Sequence, residues 1–167
     1  IFVDSSELAF GCCAYVRWKL IDGSYICKLF TAKTHVATMR TITIVKLEVN
    51  GARLGSQLKS LVDNESRLKF SKTYLITDSE IALGMIQKDS YKLNTYFGIR
   101  IGEIQERTNT ADWYWTTSEN NIADWLTRGR HPSELHQDSE WQNGPVFLSL
   151  PEADWPVKQS FEVLEIP

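Results

Sequence analysis

The segment TYLITDSE, residues 73–80, decides the fold. Its first five residues are mostly apolar or β-favouring, so they predict a short buried strand. Asp78-Ser79-Glu80 follows directly, and short polar residues before a Glu are typical of a helix start. We therefore expect a strand that passes straight into a helix reaching to about Gln87, with Asp78 at the point where the strand ends.

Upstream of this segment, the sequence predicts three antiparallel strands. A short apolar strand ends at Asp4, a second strand covers residues 10–20, and a third covers residues 25–32. Asp22-Gly23 between the last two is a strong hairpin-turn signal. The first strand starts abruptly at Ile1, which predicts that the chain is a fragment of a longer polypeptide.

Residues 42–62 change from the period of a strand to that of a helix. Four leucines recur at helical spacing and predict a core stripe: Leu47, Leu54, Leu58 and Leu61. Small residues form a neighbouring strip, to which Glu48 also belongs: Gly51, Ala52 and Gly55. Since each Gly in a helix costs about 1 kcal/mol relative to Ala, we expect this strip where the helix approaches the sheet closely.

Downstream, the pattern continues with two more helices and a last strand. Asn94 or Thr95 caps one helix, residues 112–116 form the strand, and Asn120 or Asn121 caps a short helix that Gly129 ends. Core packing explains the aromatic run of that strand better than a base-stacking platform does: Trp113, Tyr114 and Trp115.

The resulting order is β-β-β-α-β-α-α-β-α. It predicts an α/β domain over residues 1–130, with a mixed five-stranded sheet flanked by helices and a crossover that makes the third and fourth strands parallel. Residues 131–167 are proline-rich and hardly periodic, which indicates a C-terminal extension or a linker. We predict that Trp141 and residues 145–147 of this extension dock on the core.

Composition limits the class of protein. The chain is 43% hydrophobic and 23% charged, as in globular domains, and lacks an apolar run of the roughly 18 residues that a membrane span needs. Three cysteines without a secretory signal indicate reduced thiols in an intracellular compartment, and their spacing does not fit a zinc finger. The net charge of −3 lacks the basic excess of a protein that grips nucleic acid alone. Either the acids mask a local basic face, or a neighbouring domain supplies most of the affinity.

Four acids occupy special positions in this outline. Asp4 ends the first strand, Glu48 lies near the start of the long helix, Asp78 ends the fourth strand, and Asp124 lies in the first turn of the last helix. If the first and fourth strands are neighbours, the four carboxylates meet at one edge of the sheet. Clustered carboxylates repel one another unless cations compensate them, and Mg²⁺ or Mn²⁺ prefers such oxygen ligands. Taken singly, each acid is also explained as a turn residue, a helix cap, a surface charge or a partner of the helix dipole.

Several motifs resemble those of one family. The chain is similar to the ribonuclease H domain of LTR retrotransposon polyproteins, most of all to the Pao/BEL group. The resemblance covers roughly residues 1–156 and rests on six segments: DSSELAFG at 4–11, KLE at 46–48, TDSE at 77–80, NIADWLTRG at 121–129, PSEL at 132–135 and WQNGP at 141–145.

The resemblance implies a ribonuclease H-like fold and an endonuclease that hydrolyses the RNA strand of RNA/DNA hybrids during reverse transcription. It implies that a tetrad binds two Mg²⁺ ions, with Mn²⁺ as a substitute, and carries the catalysis: Asp4, Glu48, Asp78 and Asp124. It also implies a reverse transcriptase before this segment, an integrase after it, and location in a cytoplasmic virus-like particle.

Recognition of a hybrid requires short polar groups that read the shallow minor groove beside the acids. We expect this role for Ser5, Ser6, Ser79 and Asn121, although helix capping also explains the last two. Lys46 and Arg53 are candidate phosphate contacts, with solvated helix charges as the alternative.

The chain departs from many cellular ribonucleases H at one point. Those enzymes carry a His shortly before the final acid, whereas residues 116–120 here read TTSEN. We expect this absence to affect turnover more than metal binding, and Glu119 is the candidate replacement. The alternatives to an active enzyme are a catalytically inactive or host-domesticated nucleic-acid-binding module, or a related nuclease such as an integrase core.

Overall fold

The computed structural model describes residues 1–38 and 42–160 and contains the predicted mixed sheet of five strands, in the order β3-β2-β1-β4-β5. The strands are β1 Phe2–Ser5, β2 Ala9–Lys19, β3 Tyr25–Val36, β4 Leu75–Thr77 and β5 Trp113–Trp115. The first three form an antiparallel meander, in which Gly23 takes a φ of +85° at the predicted hairpin turn. β4 is parallel to both β1 and β5. The predicted α/β fold class is therefore confirmed.

Five α-helices accompany the sheet in the described residues. They are α1 Ile44–Glu65, α2 Glu80–Ile86, α3 Thr95–Arg107, α4 Asp124–Arg128 and α5 Glu140–Asn143. The first three enclose one apolar cluster with one face of the sheet, in which Val49, Leu83 and Ile101 are almost fully buried. Ser79 and Asn94 cap α2 and α3 through their side chains, as predicted.

The strip of small residues on α1 brings this helix against β1. A Cβ on Gly51 would lie 2.5 Å from the Ser5 hydroxyl, and a Cβ on Gly55 would overlap the Val3 side chain. The close approach places the first turns of α1 directly over the end of β1. Leu61, by contrast, is 51% exposed, so its prediction as a core residue was wrong. A Cβ on Gly55 would lie 3.8 Å from the side chain of Ile1, which precedes β1. The following turns of α1 therefore extend beyond the start of β1, and Leu61 lies on one of them.

β3 and β4 run in the same direction, as predicted, with β2 and β1 between them. One other expectation needs correction. The N-cap of α4 is Ala123, without a side-chain cap, and not Asn120 or Asn121. Residues 118–120 form a 3₁₀ turn, and the Asn121 amide is buried, where it donates a hydrogen bond to the carbonyl of Val3.

The C-terminal extension packs on the second face of the sheet. Phe147, Leu148 and Trp155 are buried there in a second apolar cluster, and Trp141 packs against it. The docking predicted for Trp141 and Phe147 is therefore confirmed, whereas Val146 of the same stretch is 77% exposed and does not dock. Arg17 on β2 fixes the extension by donating to the carbonyls of Leu148 and Leu150, both at 2.6 Å.

The three cysteines are free and buried, as expected for reduced thiols. Within residues 1–38 and 42–160, no helix combines the length and apolar character needed to cross a bilayer.

Candidate active site

The parallel pairing of β1 and β4 brings two of the predicted acids to one edge of the sheet. Val3 is paired with Thr77, so Asp4 and Asp78 both follow at the carboxyl ends of these strands. Asp4 is only 8% exposed. Burial raises the pKa of Asp4 to about 6, and the nearby carboxylates of Asp78 and Asp124 add to the effect, against a hydrogen bond from Thr127. The ionised form of Asp4 is therefore unfavourable in the protein alone.

Glu48 approaches the same edge from α1. The Ser79 hydroxyl donates a hydrogen bond to its carboxylate and accepts one from the amide of Ala82, so the cap of α2 also orients Glu48. Burial raises the pKa of Glu48, and the charge of Asp78 adds to this shift. The tight contact between α1 and β1 explains the position of Glu48, since Ser5 also donates to the Leu47 carbonyl at 2.9 Å.

Asp78 is oriented by two residues whose role the sequence did not reveal. The hydroxyl of Ser118 donates to the Asp78 carboxylate at 2.8 Å, and the indole of Trp115 donates to the Asp78 carbonyl at 2.8 Å. Ser118 lies in the segment noted above for its lack of His. Trp115 was assigned to core packing, and its half-buried ring does pack against the core cluster. Its indole also supports the site through the bond to Asp78.

Asp124 begins α4, the element that approaches the sheet from its second face. Its carboxylate forms an ion pair with Arg128, whose side chain is largely exposed. Thr127 of the same helix donates a hydrogen bond to the carboxylate of Asp4. The Leu126 side chain lies 3.0 Å from where a Cβ of Gly11 would stand, so α4 sits directly on β2. Thr127 was also missed as a residue of the site, although the NIADWLTRG motif contains it.

The four acids differ in how their charge is balanced. Among the described residues, Asp124 has Arg128 as an ion-pair partner, whereas Asp4, Glu48 and Asp78 form no ion pair with Lys or Arg. Within the same ranges, no three Asp, Glu, His or Cys side chains already converge on one point that a metal ion would fill. The donor set is nevertheless all carboxylate, with hydroxyl groups holding three of the four, which suits a hard divalent cation.

The four residues expected to read the substrate make internal hydrogen bonds. Ser5 donates to the carbonyl of Leu47, and Ser6 donates to the carbonyl of Thr127 at 3.0 Å. Ser79 caps α2, and Asn121 is almost fully buried. In this arrangement they support the backbone around the acids, and their contact with substrate stays a prediction.

Glu119, the candidate replacement for the missing His, is held by local bonds. Hydrogen bonds with its own backbone amide and with Thr117 lower its pKa. Its carboxylate therefore stays ionised near neutral pH, which makes it a weak proton donor.

Cations also collect between α1 and α3, around the ring of Tyr96. The Arg100 guanidinium lies 3.7 Å from the centre of the Tyr96 ring and donates to Asn50 at 3.0 Å, and the Lys46 amino group lies 4.7 Å from the same ring. Lys46 and Asn50 flank Glu48 on α1 by two residues on either side. Arg53, the other candidate phosphate contact, is instead paired with Glu103.

A cleft of about 380 Å³ lies elsewhere, at the start of β1. It is lined by aromatic and basic side chains that include Trp18, Phe30, Lys69 and Tyr74. A small-molecule enzyme would be expected to use such a cleft. The clustered acids lie at the other end of β1, away from this cleft.

Comparison with known families gives a match to the N-terminal part of the chain. Residues 1–79 match the family model described as Pao retrotransposon-like RNaseH-like domain. The matched segment includes β1, α1 and β4, and therefore Asp4, Glu48 and Asp78, while Asp124 lies beyond it. No curated relative and no solved structure matches the chain.

Proposed function

Because residues 1–79 match the model of the Pao retrotransposon-like RNaseH-like domain, we propose that this chain is a ribonuclease H, which hydrolyses the RNA strand of an RNA/DNA hybrid. The family description supports a nuclease in general terms. The finer assignment depends on the carboxylates at the ends of β1 and β4 and at the starts of α1 and α4.

A single observation carries the proposal. Asp4 is buried beside Asp78 and Asp124, and no described Lys or Arg neutralises it. Such a cluster is costly for a protein unless it serves to bind cations. A binding module that uses only the surface of the fold would not need these acids.

We assign Asp4, Glu48, Asp78 and Asp124 as the residues that would hold two Mg²⁺ ions, for which Mn²⁺ would substitute. Bound divalent ions at such a site supply the activation of a water and the neutralisation of charge on the phosphodiester. Binding requires Asp124 to exchange Arg128 for a metal ion, which is feasible because the Arg128 side chain is 71% exposed.

The other polar residues of the site hold these carboxylates in place. Thr127 orients Asp4, Ser79 orients Glu48, and Ser118 orients Asp78. Each is a hydroxyl, which fixes the direction of a carboxylate without neutralising its charge. The arrangement thus keeps the negative potential that attracts divalent cations.

The hybrid would lie across the acids and the groove between α1 and α3. We propose that Lys46 and Arg100, stacked on Tyr96, contact phosphates of the hybrid. Because the net charge of the chain is −3, the isolated domain would bind weakly. We propose that a reverse transcriptase domain of the same polyprotein supplies the remaining affinity, that an integrase follows, and that the enzyme acts during reverse transcription inside a virus-like particle.

Cleavage of a labelled RNA/DNA hybrid tests the proposal. With Mg²⁺ or Mn²⁺, the wild-type protein should cut the RNA strand and leave the DNA strand intact. Asp78→Asn, which keeps the shape of the side chain and removes its charge, should lower the rate by about 100-fold or more. Ser133→Ala, a substitution on the exposed extension, is the control and should cut at the wild-type rate.

The opposite outcome is also informative. The wild type and Asp78→Asn could both bind the hybrid without cutting it, even with a reverse transcriptase domain attached. That result would favour an inactive binding module instead.

A further inference from the structure

α4 carries Asp124 but is too short to hold its own position. It has only five residues, and its N-cap, Ala123, offers no side-chain acceptor. Isolated helices shorter than about 12 residues are marginal in water. The place of the Asp124 carboxylate therefore depends on the residues that pack against α4.

The C-terminal extension provides one of these contacts. The ring of Trp141 stacks on the ring of Trp125, the residue after Asp124, with centroids 6.4 Å apart and planes inclined by 11°. The Arg130 guanidinium lies 4.5 Å from the centre of the Trp125 ring. Trp125 is thus held by an aromatic ring that belongs to the extension and by the guanidinium of Arg130, two residues past the end of α4.

Trp141 is itself fixed to the sheet. The hydroxyl of Tyr15 on β2 donates to the Trp141 carbonyl at 2.7 Å, and Ser139 caps the short helix α5 that contains Trp141. A continuous path of contacts therefore leads from β2 through Trp141 and Trp125 to Asp124. The path crosses the boundary at residue 130 that the sequence suggested.

We propose that Trp141 is a positioning residue for the fourth carboxylate, and that the extension belongs to the catalytic unit. The inference rests on the proposed function in one respect, since it takes Asp124 as a metal ligand. Without the Trp141 ring, α4 keeps Thr127 and Leu126 but loses the contact on Trp125. Asp124 then occupies its ligating position for a smaller fraction of the time, and the metal binds more weakly.

Trp155 offers a matched control within the same extension. It is buried, and its ring packs on Tyr74 at 4.8 Å and on Phe147 at 5.8 Å, away from α4. Trp155→Ala removes the same side chain from the same apolar cluster. It should lower the stability at least as much as Trp141→Ala does, but without affecting Asp124.

The test uses the full chain and two measurements. The first is amide hydrogen exchange of residues 122–130 without metal, with the amides of β1 as a reference for global unfolding. The second is the Mn²⁺ concentration that gives half-maximal hybrid cleavage. Trp141→Ala should speed the exchange of residues 122–130 selectively and raise the metal requirement about tenfold, as expected for a group that orients a ligand. Trp141→Phe should restore most of both properties, while Trp155→Ala should change neither.

Two results would overturn the inference. In one, Trp141→Ala leaves the exchange of residues 122–130 and the metal requirement as in the wild type. In the other, Trp155→Ala changes both quantities as much as Trp141→Ala does. Should Trp141→Ala fail to fold, Trp141→Leu, which keeps apolar bulk without a ring, takes its place. If the wild type cuts no hybrid, the proposed function fails, and the exchange measurement still decides whether Trp141 holds α4.

Discussion

Two charged regions lie on different faces of α1, and they are unbalanced in opposite senses. Around Glu48, three of the four clustered acids have no ion-pair partner among the described residues. Lys46 and Asn50 lie two residues before and after Glu48 and therefore face away from it. They belong to a group in which Lys46 and Arg100 share the ring of Tyr96 and have no described carboxylate partner. Farther down the same helices, Arg53 and Arg107 are both paired with Glu103.

The difference indicates where external charges bind. Paired charges need little from outside, and at the surface they contribute little to stability. Unpaired acids attract cations, and unpaired cations attract phosphates. A divalent metal on one region and a nucleic-acid backbone on the other would satisfy both.

Neutralising Asp4 should have the largest effect on the free energy of unfolding. Because its pKa in the folded protein is about 6, against 3.8 in the unfolded chain, ionised Asp4 destabilises the fold. The wild type therefore loses stability as the pH rises from about 4 to 6 and stays at the lower value above pH 6. In urea unfolding with a chelator at pH 8, Asp4→Asn should be more stable than the wild type by about 1–3 kcal/mol.

The gain should vanish below about pH 3, where Asp4 is protonated in both states. Asp124→Asn is the matched control, because its carboxylate already has Arg128 as a partner. It should give a much smaller gain at pH 8, because the charge of Asp124 is the smallest contribution to the raised pKa of Asp4. Equal stability of wild type and Asp4→Asn at every pH would contradict the view that the cluster is electrostatically unfavourable.

Removing the cations of the α1–α3 groove should have a smaller effect, confined to substrate binding. The double variant Lys46→Ala/Arg100→Ala should bind an RNA/DNA hybrid about tenfold more weakly, which corresponds to roughly 1.4 kcal/mol. The dependence of affinity on salt should also weaken, because fewer phosphates are contacted. Fluorescence anisotropy at several salt concentrations measures both quantities.

Arg107→Ala provides the comparison for this experiment. Arg107 lies on the same helix as Arg100 but is paired with Glu103. We expect its removal to leave hybrid affinity unchanged. A loss as large as that of the double variant would mean that overall charge, and not the groove, determines binding.

The sequence predicted the parts of the site that depend on local pattern. The strand before Asp78, the helix start at Ser79 and the small residues beside Glu48 are all visible as short-range signals, and they locate two of the acids. The sequence could not show that β1 and β4 are neighbours, so this was only assumed. Strand order is set by packing across the whole domain, not by local pattern. The predicted N-cap of α4 was wrong, because the Asn121 side chain instead donates a long-range hydrogen bond to the carbonyl of Val3.

The residues that orient the acids were beyond the reach of sequence patterns. Ser118 is 40 residues away from Asp78, and Thr127 is 123 residues away from Asp4. An isolated Ser or Thr in a loop or a short helix carries no signal of such a contact. The stack of Trp141 on Trp125 was hidden for the same reason, although docking of the extension itself was predictable from its apolar residues.

Direct titration with a divalent cation tests the central claim, that the clustered acids are a metal site. Isothermal titration of Mn²⁺ into the wild type should show saturable binding, which is lost in the double variant Asp4→Asn/Asp78→Asn. Arg128→Ala, which frees Asp124, should bind at least as tightly as the wild type. Absence of binding to the wild type, or identical binding to the double variant, would contradict the account.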